Sequence, residues 1–314
     1  MTKFAFIFPG QGSQFIGMGK ALADQFGSAK AVFEEVDDAL DQDLSGLIWN
    51  GSEDELKLTE NTQPALMAVS VAAMRALEEA QDIRADAATF VAGHSLGEYS
   101  ALTSAGAIEV GDCARLLRIR GQAMQTAVPA GEGAMAALLG ASPEQAGDLC
   151  KAGAVEGPCE IANDNAPGQI VISGAKPAVE LAISGAKEAG VKKAVLLPVS
   201  APFHCSLMQP AADAMAEALL NIDIKPPTVP LIANVTATAG RDPDAIRQQL
   251  VDQVTGQVRW TESVQFMASE GIEATIEAGA GKVLSVMNRR TARELEGLTL
   301  GAPDDIAAIA ERLR

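Results

Sequence analysis

The chain has 314 residues, 48% of them hydrophobic and only 4% aromatic, and a formal net charge of −17. This length and composition suit one large domain, or a domain with an insertion, around a core of Ala, Val, Leu, Ile and Met. The negative charge excludes a nucleic-acid partner, which needs clustered Lys and Arg against phosphates, but not an acidic small substrate, because one buried arginine acts locally.

The first predicted element is a strand over residues 4–8, five apolar residues closed by Pro9-Gly10. Five residues are too few for a signal-peptide core, and no apolar run reaches membrane-spanning length. A soluble, cytoplasmic protein with no membrane partner is expected. Further short apolar runs predict strands at residues 90–92, 170–172, 194–198, 229–233 and 274–277. Ala-rich stretches at helical spacing, such as 66–80 and 211–220, lie between them. This alternation predicts an α/β fold with a mostly parallel sheet.

Residues 128–198 break the pattern. Strands at 134–139, 159–163, 170–173 and 194–198, with helices at 143–152 and 178–189, give the order β-α-β-β-α-β of a ferredoxin-like unit. The expected division is therefore a body of residues 1–127 and 199–314, interrupted by a subdomain of residues 128–198. Pro129-Ala130-Gly131 and Pro198 carry the turn signals at its borders. The four cysteines, Cys113, Cys150, Cys159 and Cys205, are dispersed without metal-ligand spacing, so no metal site is expected.

Gly93-His94-Ser95-Leu96-Gly97 matches G-x-S-x-G, after an apolar run and before a helical stretch. Such a sharp strand-to-helix turn pushes a serine hydroxyl out of the backbone. The helix N-terminus and the Leu96 N–H then face the oxyanion formed when Ser95 attacks a carbonyl. Ser95 needs a base, and the chain holds two histidines. His94 is inside the turn and should point away from its neighbour. His204 remains, in the loop Ser200-Ala201-Pro202-Phe203-His204. A histidine base of ordinary pKa predicts acylation that falls as the pH drops through about 6 to 7. A triad acid is not evident: Asp112, Asp148 and Asp164 do not follow apolar strands, so a backbone carbonyl is expected to orient the histidine.

Arg120 has Leu116, Leu117, Ala123 and Met124 at i−4, i−3, i+3 and i+4, so it lies on the buried stripe of its helix, whereas Arg115 and Arg118 point to solvent. A buried guanidinium calls for an anion, and a carboxylate is its best geometric match. An acyl substrate with its own carboxylate and a structural ion pair both satisfy that requirement. After the first strand, Gly10-Gln11-Gly12 fits neither phosphate-loop pattern, and an exposed Gln11 N–H there suits the second half of an oxyanion hole.

Together these motifs resemble the malonyl-CoA:acyl-carrier-protein transacylases and the acyltransferase domains of polyketide synthases. The resemblance is nearly end to end, from Phe6-Ile7-Phe8-Pro9-Gly10-Gln11-Gly12-Ser13-Gln14 to Glu277-Ala278-Gly279-Ala280-Gly281. It takes in Thr62-Gln63-Pro64-Ala65, Arg120-Gly121, Asn165-Ala166-Pro167-Gly168-Gln169, the histidine loop and Val258-Arg259-Trp260-Thr261. It implies an α/β-hydrolase-like body with the ferredoxin-like insertion, and transfer of malonyl from malonyl-CoA to acyl carrier protein by a monomer without a cofactor. It also implies Ser95 as nucleophile, His204 as base, Arg120 on the malonyl carboxylate, Gln11 and Leu96 as the oxyanion hole, and Gln253 orienting His204 through its main-chain carbonyl. Phe203 looks like the malonyl-selective form of its motif. Cys205 and Ala280 depart from a usual serine and proline. The alternatives are a serine esterase or thioesterase, which would want a triad acid and no buried arginine, and a non-catalytic carrier-binding component, which would need no Ser95–His204 pair.

Overall fold

Five consecutive apolar residues leave no polar face, so the strand β1 (Phe4–Phe8) can only lie inside a sheet covered on both sides. The computed structural model describes residues 2–199 and 201–313 and places β1 there. The other strands are β2 (Phe90–Gly93), β3 (Gly133–Leu139), β4 (Cys159–Ala166), β5 (Gln169–Ala175) and β6 (Lys193–Leu196), then β7 (Leu231–Ile232), β8 (Ala239–Gly240), β9 (Ala274–Ala278) and β10 (Glu296–Leu300). The larger sheet runs β10–β9–β1–β2–β7–β8 and is parallel apart from the β7–β8 pair. Side chains alternate across β1. Phe4, Phe6 and Phe8 join the main core with the long helix Thr59–Gln81, while Ala5 and Ile7 join a second cluster around Trp260, Val264 and Met267.

The smaller sheet, β4–β5–β3–β6, is antiparallel throughout and has the predicted β-α-β-β-α-β order. One face packs Ala136, Leu138, Ile170 and Ile172 against the helices Pro143–Gly153 and Lys176–Ser184, in a core of its own. On the opposite face Met135 and Val171 turn toward a cleft. β4 also bridges to the body: Val258 N–H donates to the Ala162 carbonyl (2.8 Å), and Asp164 N–H to that of Val258 (3.0 Å).

Several boundaries differ from expectation. The helix predicted over 178–189 stops at Ser184, where Gly185 and then Gly190 favour turns over further helix. The strand expected over 194–198 ends at Leu196, two residues before Pro198, which has no N–H to donate. The one expected over 229–233 contracts to Leu231–Ile232, following Pro230. β8 and β10 were not predicted, since both are edge strands without a continuous apolar run. Ser200, first residue of the histidine motif, lies outside the described residues. No helix among the described residues is long and apolar enough to cross a membrane, and no cluster of potential metal ligands occurs among them.

Candidate active site

The turn after β2 is set by close backbone approach. A Cβ on Gly93 would lie 1.9 Å from the backbone of Gly97, one on Gly97 2.2 Å from the Phe8 carbonyl, and one on Gly10 2.7 Å from that of His94. Only glycine permits that crossing. Ser95 sits at its apex with φ of +54°, a left-handed conformation costing an L-residue about 1–2 kcal/mol. Asn234, two residues past β7, compensates: its Oδ1 accepts from Ser95 N–H (2.7 Å), and its Nδ2 donates to the Gly93 carbonyl (2.6 Å).

Ser95 Oγ lies 2.8 Å from His204 Nε2. The tautomer follows from the other ring nitrogen. His204 Nδ1 faces the carbonyls of Gln253 (2.9 Å) and Gly256 (3.2 Å), both acceptors only, so Nδ1 carries the hydrogen and Nε2 is free to accept from Ser95. Burial, and then the nearby charge of Arg120, push the His204 pKa down to about 3. The fall expected through pH 6 to 7 assumed an ordinary imidazole, and this burial moves that expectation to lower pH. None of Asp112, Asp148 and Asp164 touches His204: they engage Arg115, Lys151 and Thr261. His94 turns to β4 instead, its Nε2 at 2.8 Å from Asn165 Oδ1.

Arg120 projects from the helix Val110–Thr126 and is 1% exposed. Nη1 donates to Gln63 Oε1 (2.8 Å), and Nη2 to Gln253 Oε1 (2.8 Å) and Ser95 Oγ (3.2 Å). All three acceptors are uncharged, and no carboxylate contacts the guanidinium among the described residues. Arg115 does lie at the surface as predicted, whereas Arg118 is half-buried and donates to Gln42.

Gln11 and Leu96 line the same cleft as Ser95, and neither backbone N–H has an acceptor among the described residues. The cleft holds about 890 Å³ between the two sheets, with Met135 and Val171 on one side and Phe203 beside His204. That volume accommodates an extended acyl thioester.

Three residues of this site were not singled out in the sequence. Gln63 stands there only within a motif, Asn234 not at all, and Glu98 only as an unnamed part of the helical stretch that follows Gly97. Glu98 is fully buried; its Oε2 accepts from the Gln253 side chain (2.7 Å) and from Asn234 N–H (3.1 Å). A signal existed for Asn234, a polar residue just past an apolar strand in an α/β protein. Gln253 does more than offer its carbonyl, because its side chain also ties Arg120, Glu98 and the Ser95 carbonyl together.

The acyl transferase domain family matches residues 5–308. A malonyl CoA-acyl carrier protein transacylase of Bacillus subtilis is 46% identical, over all of this chain and 98% of its own. The crystal structure of an acyl-carrier-protein S-malonyltransferase from Bartonella henselae, 53% identical, superposes with a TM-score of 0.97 over 99% of each chain. A malonyl-transacylase solved in complex with a type II polyketide acyl-carrier protein is 41% identical, with a TM-score of 0.95 over 99% of this chain and 100% of that one. A match across nearly the whole length, on a fold that brings Ser95, His204 and Arg120 together, places this chain in the acyl transferase domain family.

Proposed function

We propose that the protein transfers a malonyl group from malonyl-CoA to the phosphopantetheine thiol of an acyl carrier protein, in two half-reactions through an ester on Ser95. The observation that carries this reading is the buried guanidinium of Arg120, 3.2 Å from Ser95 Oγ and bonded only to uncharged groups. Five N–H donors meet three acceptors there, leaving capacity for an anion beside the nucleophile. An acyl group whose carboxylate stands one methylene from the reacting carbonyl spans that short distance; an acetyl group offers nothing to bind.

In the first half-reaction Ser95 Oγ gives its proton to His204 Nε2 and bonds to the thioester carbonyl carbon. The backbone N–H groups of Gln11 and Leu96 stabilise the resulting oxyanion. As the C–S bond breaks, His204 returns the proton to the coenzyme A sulfur. In the second, the carrier's thiol gives its proton to His204 and attacks the ester carbonyl, and Ser95 leaves and recovers the proton. The Gln253 and Gly256 carbonyls accept from His204 Nδ1 and so hold it in the required tautomer, the orienting role that a carboxylate fills in a Ser-His-Asp triad. Nucleophile, base and anion site are all side chains, and no step calls for a cofactor.

We also propose the division into a body of residues 1–127 and 199–314 and a subdomain of residues 128–198, supported by the separate core of the smaller sheet, and a cytoplasmic location for the enzyme. Incubation with malonyl-CoA followed by intact-mass measurement tests the function. The expected result is a stable malonyl adduct, discharged by holo-acyl carrier protein and absent in Ser95→Ala. Steady release of free malonate without an adduct would instead indicate a thioesterase.

A further inference from the structure

Glu98 has no step in this mechanism, yet it is completely buried on the first turn of the helix Gly97–Ser104, directly behind Ser95. A carboxylate accepts only, so it forces the Gln253 amide to present its NH2, which also reaches the Ser95 carbonyl at 3.0 Å. Gln253 Oε1 is thereby turned to Arg120. Glu98 and Arg120 are joined through this single amide. The other titratable groups near this pair are Tyr99 on the same helix, Cys113 on the helix of Arg120, and His204. Burial pushes the Tyr99 and Cys113 pKa values up and that of His204 down, so all three are uncharged at neutral pH and Arg120 is the one cation Glu98 faces.

We propose that Glu98 is a positioning residue and the counter-charge of Arg120 in the empty enzyme, and that the substrate's carboxylate displaces it from that role, so that Glu98 takes up a proton from solvent as the malonyl group binds. This rests on Arg120 being the malonyl site. Two carboxylates cannot both stay ionised around one buried guanidinium without a large penalty, and the one less directly bonded protonates. The geometry provides for that proton. Glu98 Oε2 holds both hydrogen bonds, whereas Oε1 has no partner among the described residues, so Oε1 can be protonated without breaking either contact. Burial has already pushed the Glu98 pKa up to about 7, and a second carboxylate on Arg120 pushes it further up, beyond the pH range of the measurement.

The test is calorimetry of malonyl-CoA binding to Ser95→Ala in phosphate and in Tris at matched pH, with acetyl-CoA as the reference for the coenzyme's own phosphates. The expected malonyl-minus-acetyl uptake is about half a proton at pH 7, rising to most of one at pH 8. Adding Glu98→Gln should abolish it. Equal uptake for both ligands, or a difference that survives Glu98→Gln, overturns the proposal. So does uptake that falls between pH 7 and 8, which would assign the proton to His204; this last readout stands even if the Gln variant does not fold. Tight malonyl binding without uptake sinks only this proposal, whereas loss of any preference for malonyl over acetyl removes the Arg120 reading beneath it.

Discussion

Replacing Arg120 by Ala separates a substrate site from a structural arginine. Truncating one partner of a buried charge pair costs about 2–5 kcal/mol, or roughly 30- to several-thousand-fold in affinity. That loss should fall on malonyl-CoA and spare acetyl-CoA, which has no carboxylate. Stability should move less. The variant leaves the Gln63 and Gln253 side-chain oxygens without their donor, at about 1–3 kcal/mol each, but it removes a buried cation whose desolvation costs several kcal/mol. The assay is single-turnover acylation of Ser95 by each donor, read by intact mass, with melting curves recorded in parallel. The malonyl-to-acetyl ratio should collapse, and malonyl-CoA should raise the melting temperature no more than acetyl-CoA does. Arg120→Lys should recover only part of the ratio, because an ammonium lacks the planar fork. If both donors slow equally and the protein melts well below wild type, Arg120 is a structural residue and the malonyl assignment loses its physical support.

The remaining site makes sharper claims than the sequence did. His204→Ala should slow both half-reactions by at least about a hundredfold. Because burial holds the folded His204 pKa down to about 3, acylation by acetyl-CoA should show no His204 inflection between pH 5 and 8, and an inflection at pH 6 to 7 that persists in Glu98→Gln would show that the imidazole is not desolvated as described. Between about pH 3 and 6.5 the unfolded chain binds a proton at His204 that the folded chain refuses. Its contribution to stability is therefore intact above about pH 6.5 and declines as the pH falls toward 3, which urea titrations of wild type and His204→Ala would detect. Asn234→Ala should cost about 2–4 kcal/mol by stranding the Ser95 N–H and the Gly93 carbonyl, and should lower the acylation rate as well. Gly97→Ala drives a Cβ to 2.2 Å from the Phe8 carbonyl and should lower the melting temperature sharply, whereas Gly27→Ala, with nothing within 4 Å, should not.

The legible parts of this protein are those written in local pattern. Runs such as Phe4–Phe8 and Ala274–Ala278 declare buried parallel strands, and the β-α-β-β-α-β order of the smaller sheet follows from turn signals and periodicity alone. Arg120 could be placed on a buried stripe because helical spacing is a local property. Its partners could not be derived, since Gln63, Ser95 and Gln253 are brought to it from three other elements. The same limit hid Asn234, whose contact with Ser95 spans 139 positions. It also misled the pH expectation, because an imidazole's pKa is set by what buries it. Edge strands such as Glu296–Leu300 escaped for the opposite reason: half-exposed, they need no continuous apolar run.

The missing triad acid and the unpaired arginine are two sides of one design constraint. A serine hydrolase orients its histidine with a buried carboxylate. Here a guanidinium lies 3.2 Å from Ser95 Oγ and close enough to His204 to depress its pKa. An aspartate at Nδ1 of that imidazole would be drawn to Arg120 and occupy the charge that, under the proposed function, meets the malonyl carboxylate. Two main-chain carbonyls at Nδ1 orient the ring with dipoles instead, and leave the guanidinium uncommitted. Glu98 does supply a negative charge, but it stands one amide away, where it can fix Gln253 without contacting Arg120. Under the proposed function, selectivity for an acidic acyl group and catalysis without a triad acid both follow from this placement of charges around Ser95.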